Sequence, residues 1–129
     1  MKSAFLLAEN ENLFPDVRDF LVADGWNSSP EYGGVVQAFD PQGRLLTIFG
    51  TVEPEFAWEY QEGPFTVESL APPAEMERVT ACVIECRFED LFAATTARLA
   101  AALPYPTWVL DSNGAIWDAE AVDPERIRL

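Results

Sequence analysis

Carboxylates are the only plentiful reactive groups in this chain. Glu53 with Glu55, and Asp118 with Glu120, are pairs at strand spacing, and Trp58 and Trp117 stand close to them in sequence. Two carboxyl groups flanking a bond, with an indole to stack on a sugar ring, would suit glycoside hydrolysis. With 22 acidic residues among 129, however, such pairs arise by chance, and spacing alone assigns no catalytic residue. Other chemistry lacks its partners. The chain contains no histidine, which removes Ser-His-Asp and Cys-His catalysis, imidazole metal ligation and a histidine pH switch. Ser28 and Ser29 have no base beside them. Cys82 and Cys86 lie four apart in an apolar run. As strand residues they share one face about 13 Å apart, beyond disulfide reach, and read as small core residues. Asp111-Ser112-Asn113-Gly114 begins like a calcium loop but lacks the third ligand position before the glycine, and its flanks read as strands. No glycine-rich phosphate loop occurs. The sequence therefore predicts no catalytic residue, no metal and no cofactor.

The elements that must position these residues follow from periodicity and turn chemistry. Residues 3–8 form a short apolar run and predict a first strand; the run is cut off by Glu9 and Glu11, too early for a secretory h-region. Leu13, Phe14, Val17, Phe20 and Leu21 recur at helical spacing, with Asn12 as a candidate cap, Pro15 in the first turn and Gly25 closing the helix. Trp26 opens a polar loop, Asn27-Ser28-Ser29-Pro30. Apolar runs at 34–39 and 44–51 flank Asp40-Pro41-Gln42-Gly43, a hairpin. Residues 56–60 alternate, so that Phe56, Trp58 and Tyr60 share one face of a strand and Ala57, Glu59 and Gln61 the other; Pro54 suggests either an edge position, where two chains could pair, or a strand beginning just after it. Prolines and glycine make 63–77 a loop with at most a short strand at 66–69. A strand covers 78–87. A second helix runs from about 88 to 103, with Phe88, Leu91, Phe92, Thr95, Leu99, Ala102 and Leu103 as its inner stripe. Asn113-Gly114 between apolar runs marks a last hairpin, and the tail makes a helical turn or caps the sheet. The fold expected over a single domain, 1–129, is α+β: a mostly antiparallel twisted sheet of about five to seven strands with two helices on one face.

The charge distribution carries the functional signal. The net charge is −14, which opposes contact with nucleic-acid backbone and favours a basic partner. Leu45–Glu77 contains no Lys or Arg but holds Glu53, Glu55, Glu59, Glu62, Glu68, Glu75 and Glu77; Leu99–Glu125 is again free of cations and holds Asp111, Asp118, Glu120, Asp123 and Glu125. Aromatic residues set among carboxylates are the composition of an anchor with an electrostatic rim. The partner-binding candidates are Glu53, Glu55, Trp58, Glu59, Tyr60, Glu62, Asp118 and Glu120. Whether Phe56, Trp58 and Tyr60 face the core or a partner is open from sequence. No run of apolar residues is long enough to cross a membrane.

The stretch Pro106-Thr107-Trp108-Val109-Leu110-Asp111-Ser112-Asn113-Gly114-Ala115-Ile116-Trp117-Asp118-Ala119-Glu120, with the ending Val122 to Leu129, matches a V-x-D-x-x-G-x-x-W hairpin closing a small α+β protein. In this, and in size and acidity, the chain resembles the small acidic immunity proteins of bacterial polymorphic toxin and contact-dependent inhibition systems. The resemblance implies a cytoplasmic, non-enzymatic inhibitor that occludes the active site or a nearby exosite of a cognate toxin domain with a basic surface, most often a nuclease. The charge and the lack of a long apolar run predict no nucleic-acid or membrane partner, and the oligomeric state, monomer or homodimer, stays open. Two other classes stay open: an acidic regulatory or nucleic-acid-mimic binding protein, and a carboxylate-only hydrolase.

Overall fold

A strand that is apolar on both faces belongs in the middle of a sheet. Strand β1 (Ser3–Ala8) is such a strand: Leu6, Leu7 and Ala8 are all fully buried, although successive side chains point to opposite faces. In the computed structural model, which describes residues 2–129, β1 lies between two antiparallel partners. The remaining elements, in chain order, are helix α1 (Leu13–Ala23), β2 (Asn27–Ser29), β3 (Val35–Phe39), β4 (Leu45–Thr51), the short helix α2 (Trp58–Gln61), β5 (Thr66–Val67), β6 (Thr80–Cys86), α3 (Glu89–Ala102), β7 (Trp108–Leu110) and β8 (Ala115–Asp118). They form one eight-stranded sheet in the order β2-β3-β4-β6-β1-β7-β8-β5, antiparallel except for β5 against β8. The α+β class and the two long helices on one face are as expected. The sheet exceeds the expected five to seven strands because both of its edges are very short strands.

The two faces are built differently. On one, α1 contributes Leu13, Phe14, Val17 and Leu21, and α3 contributes Phe92 and Leu99, against Leu6, Ile48, Cys82, Ile84, Val109 and Trp117. The inner stripe of α3 is Phe92, Thr95, Thr96 and Leu99, whereas Phe88 and Ala102, expected inside, are exposed. Phe88 precedes the first helical turn, so the 3.6-residue period does not yet govern it. On the other face Leu7, Ala81, Trp108, Leu110 and Ile116 are covered by the chain that links β4 to β6. That link leaves β4, lays α2 across the sheet, pairs as β5 at the far edge and returns. Tyr60 and Val79 are buried beneath it, with Phe65 and Met76 beside them. The return limb is held where the Trp108 indole N–H donates to the Ala71 carbonyl (2.8 Å) and the Ala74 N–H to the Glu9 carboxylate (2.9 Å).

Three local expectations are overturned. Residues 54–61 are a 3₁₀ turn (Pro54–Phe56) followed by α2, not a strand, and they form no sheet edge at which two chains could pair. The alternation was deceptive because local bonds closed the backbone first: the Phe56 N–H donates to the Glu53 carbonyl (2.9 Å) and the Gln61 N–H to the Ala57 carbonyl (2.9 Å). The polar Asn27-Ser28-Ser29 is an edge strand, not a loop, pairing on one side with Val35–Gln37. Asn12 caps nothing with its side chain; instead its N–H donates to the Asn10 carboxamide oxygen (2.8 Å).

One ion-paired residue ties the β3–β4 turn to the start of α3. Arg44 bonds Asp40 (2.7 Å) and Asp90 (2.9 Å), and its guanidinium lies 5.1 Å from the Phe88 ring centroid. Partial burial pushes the Asp40 carboxyl up, but hydrogen bonds from Arg44 and from the Gln42 amide outweigh this and hold it below the ordinary carboxylate value. The Arg44 guanidinium likewise lowers Asp90. Carboxyls depressed in the folded state stabilise it fully above their unfolded value, about 3.9, and that contribution is lost as pH falls through the lower folded values. Arg44→Gln should therefore melt below the wild type at pH 6, and the gap should close in acid below about pH 3. A gap that stays constant across that range in thermal unfolding would show that the pairing adds nothing.

Candidate functional site

The acidic segment after β4 gathers most of the residues singled out by sequence. Glu53 immediately precedes the 3₁₀ turn, Glu55 sits in it, and Trp58, Glu59, Tyr60 and Glu62 lie in and just after α2. Because the segment is helical, its aromatics do not share a face. Tyr60 turns inward and is 4% exposed, with its ring 5.6 Å from that of Phe5, whereas Phe56 and Trp58 are 48% and 58% exposed. Tyr60, expected at the partner surface, is instead the anchor that holds α2 to the sheet, and burial pushes its phenol up. Phe56 and Trp58 remain as apolar surface.

Glu53, Glu55, Glu59 and Glu62 are all exposed, and among the described residues none forms an ion pair. Elsewhere the cations are taken. Six of the eight basic residues are paired: Lys2 with Glu89, Arg18 with Asp19, Arg44 with Asp40 and Asp90, Arg78 with Glu75, Arg98 with Asp24 and Arg126 with Glu68. Asp118, Glu120, Asp123 and Glu125 thus place unpaired charge near the C-terminal hairpin, and Glu53, Glu55, Glu59 and Glu62 place it beside Phe56 and Trp58. Their side chains reach water from a turn, not from opposite walls of a cleft.

Asp118 and Glu120 are not part of this segment. Asp118 ends β8, opposite Trp108 in register, and its carboxylate accepts the Glu120 N–H (3.0 Å), which makes it the pivot of a turn. The buried carboxylate of the region is Asp111. Its Oδ1 accepts the Asn113 and Ala115 N–H groups (3.0 and 2.9 Å), and its Oδ2 accepts the Trp117 indole N–H (3.0 Å) and the Arg128 N–H (3.3 Å). Asp111-Ser112-Asn113-Gly114 is thus the expected hairpin turn, and its first residue also fastens the C-terminal tail. Trp117 is 5% exposed with Arg126 over its ring, so it offers no platform for a sugar.

Residues missed by sequence reasoning lie on the covered face's bare half. Val35 stands opposite Phe49, Gln37 opposite Thr47 and Phe39 opposite Leu45; α2 does not reach them, and Gln37, Phe39 and Leu45 are exposed, Val35 and Phe49 half-buried and Thr47 buried. Phe39 is 68% exposed and Tyr32 83%. Tyr32 has φ 55° and ψ 35°, a left-handed conformation that costs a residue with a Cβ about 1–2 kcal/mol, and its ring meets Phe49 edge-on at 6.5 Å. The signal was present in the odd positions Val35, Gln37, Phe39 and Leu45, but a sequence does not show which face of a strand lacks a cover.

A cleft of about 420 Å³ lies at the Arg87 end of the sheet, lined by Lys2, Arg44, Leu45, Glu85, Cys86 and Phe88 among others. Its cations Lys2 and Arg44 are already paired, while Arg87, also in the lining, forms no ion pair among the described residues. Burial pushes the Cys86 thiol up, and its Sγ approaches the Phe88 carbonyl at 3.4 Å as a donor; it is a packed thiol, like Cys82. No protein-family model, curated protein or solved structure matches the chain. Function must therefore be read from the chemistry of this surface. No helix among the described residues is long and apolar enough to cross a membrane.

The two aromatics of α2 should behave oppositely on truncation. Tyr60→Ala should cost about 3 kcal/mol in urea unfolding, and Trp58→Ala about 0.5 kcal/mol or less. Equal costs would mean that Tyr60 is not the anchor. Asp111→Ala leaves four donors without their acceptor and should cost about 3 kcal/mol, while Asp111→Asn, which keeps one acceptor oxygen, should cost less. An alanine variant as stable as the wild type would remove Asp111 from that role.

Proposed function

We propose that this chain is an immunity-type inhibitor, a stoichiometric protein that binds a cognate toxin domain through a basic surface and blocks its active site or a nearby exosite. One observation carries the reading: Glu53, Glu55, Glu59 and Glu62 are exposed and without cation partners, on the same short segment as exposed Phe56 and Trp58. Unpaired carboxylates around desolvatable aromatic surface give a basic partner both steering and anchorage. The same charge repels nucleic-acid backbone, so a nuclease is a fitting target: its cationic substrate groove is complementary to this segment. The hairpin closed by Asp111 and Trp117, which carries the resemblance to immunity proteins, supports the reading independently of charge. Inhibition of this kind needs no cofactor and no catalytic residue in the inhibitor, and it takes place in the cytoplasm, where such toxins reach their targets. Asp118 and Glu120 extend the acidic surface without joining the α2 segment.

The test is growth rescue. The toxin domain encoded beside this gene is expressed with and without the chain, and the complex is measured by titration at rising salt. Rescue is expected, with affinity falling as salt rises. Reversal of all four glutamates to lysine should weaken binding about a hundredfold or more and abolish rescue. Rescue and salt dependence untouched by that reversal would overturn the proposed surface. A neighbour that binds nucleic acid without toxicity, held by the same glutamates, would assign the chain to nucleic-acid mimicry.

A further inference from the structure

We infer that the bare half of the sheet beside α2 is the main docking floor for the basic protein partner, and that Tyr32 is its pre-set anchor. This rests on the inhibitor reading for the partner's charge, but on separate residues for the contact. Across the strands, Val35, Phe49, Val83 and Phe5 form one continuous row by register, on the face away from α1 and α3. Phe5 is met by Tyr60 at the foot of α2, so the row runs out from under the covered half into the open. Beyond the polar row of Gln37, Thr47 and Glu85, exposed Phe39 and Leu45 stand opposite one another, and Tyr32 projects from the β2–β3 connection against Phe49. Exposed Tyr32, Phe39 and Leu45 beside half-buried Val35 and Phe49, bordered by carboxylates, have the composition of an interaction site.

Tyr32 is held in place by close backbone packing. The Gly50 N–H donates to the Gly34 carbonyl (2.8 Å), and Gly50 occupies a bulge in β4 between Phe49 and Thr51. A Cβ on Gly50 would collide with the Gly33 carbonyl oxygen, and one on Gly34, at φ +111°, would collide with the Phe14 ring. Two glycines thus let the connection sit flush on β4 while a large aromatic keeps a conformation that glycine would adopt freely. Strain retained at an exposed aromatic, with little intramolecular packing in return, fits a residue presented to something else. The occupant follows from charge. Glu31 adjoins Tyr32, and Glu53 and Glu55 follow β4 at the same end, so the rim there is carboxylate with no ion-paired cation among the described residues, while Lys2, Arg44 and Arg87 border the opposite end beside Leu45 and Glu85. A second copy would bring those carboxylates toward its own; a protein face with an apolar centre and Lys or Arg at its margin would not.

The experiment uses the full chain and a synthetic β-hairpin peptide bearing Val, Leu and Trp on one face and Lys at its rim, compared with the same peptide with Glu for every Lys. Fluorescence titration should show the basic hairpin binding and the acidic one failing to bind. Tyr32→Gly should weaken binding about tenfold while leaving the melting temperature equal or higher, since glycine relieves the left-handed strain. Phe39→Ser with Leu45→Ser should weaken it further. Changing Glu53, Glu55, Glu59 and Glu62 to Gln should mainly flatten the salt dependence. Loss of binding in the Glu variants with none in the floor variants would overturn this inference and leave the inhibitor reading standing; equal binding of the basic and acidic hairpins would overturn the partner's charge on which both rest. A concentration-dependent dimer in sedimentation, abolished by the floor variants, would give the floor to a second copy and equally overturn it.

Discussion

Burial of Tyr60, Phe65, Met76 and Val79 against Leu7, Trp108, Leu110 and Ile116 is the contact on which the helix-free face depends. Two long helices seal the opposite face, so only the β4–β6 link is left to cover this one. Its route is constrained at three points. It must leave from β4, reach the far edge to pair as β5 with β8, and return to β6, the immediate neighbour of β4. A link with those ends covers β6, β1, β7 and β8 and cannot also cover β3 and β4. The exposed acidic turn and the bare floor are therefore two results of one route: the segment that seals half the face turns its glutamates to water along the border of the other half.

The same contact explains why the acidic segment is well placed for recognition. Helical geometry puts Tyr60 inward and Phe56 and Trp58 outward within a few residues, so anchorage to the sheet and display to solvent are divided among neighbours. An extended strand with Phe56, Trp58 and Tyr60 on one face would have buried or exposed all three together. Internal ion pairing works in the same direction. By occupying cations at the Arg44 hub and at the α1–α3 contact between Asp24 and Arg98, the fold leaves few to neutralise the α2 segment.

Much of the architecture was legible because local chemistry and burial agreed. The Asp40–Gly43 and Asp111–Gly114 turns, the doubly apolar β1 and the long α3 are set by side chains whose preferences match their final surroundings. The failures fall where the decisive partner is distant. Asn27-Ser28-Ser29 has no strand propensity to notice; it is a strand because β3 offers an edge. The alternation in residues 56–60 fits a strand and a helical turn alike, and the bonds from Phe56 and Gln61 to carbonyls three and four residues back decided between them. The bare floor was illegible for a different reason: the pattern Val35, Gln37, Phe39 shows that a face exists but not that its cover runs elsewhere. Of the expected partner-facing residues, Tyr60 alone proved to be core, because its surroundings come from β1, far away in sequence.

The position of β1 has a consequence for how the chain acquires its structure. Its antiparallel neighbours are β6 and β7, so Leu6 pairs with Cys82 on one side and Val109 on the other. Closing loops of that length is an entropic cost met before any reward, and contacts of high sequence separation slow folding. During synthesis β1 has neither neighbour until β6 has been made, with β7 later still. Its apolar side chains must wait while the β3–β4 hairpin, whose contacts are local, forms alone. The central sheet consequently assembles after the local hairpin, with β1 enclosed only once both of its distant neighbours are in place.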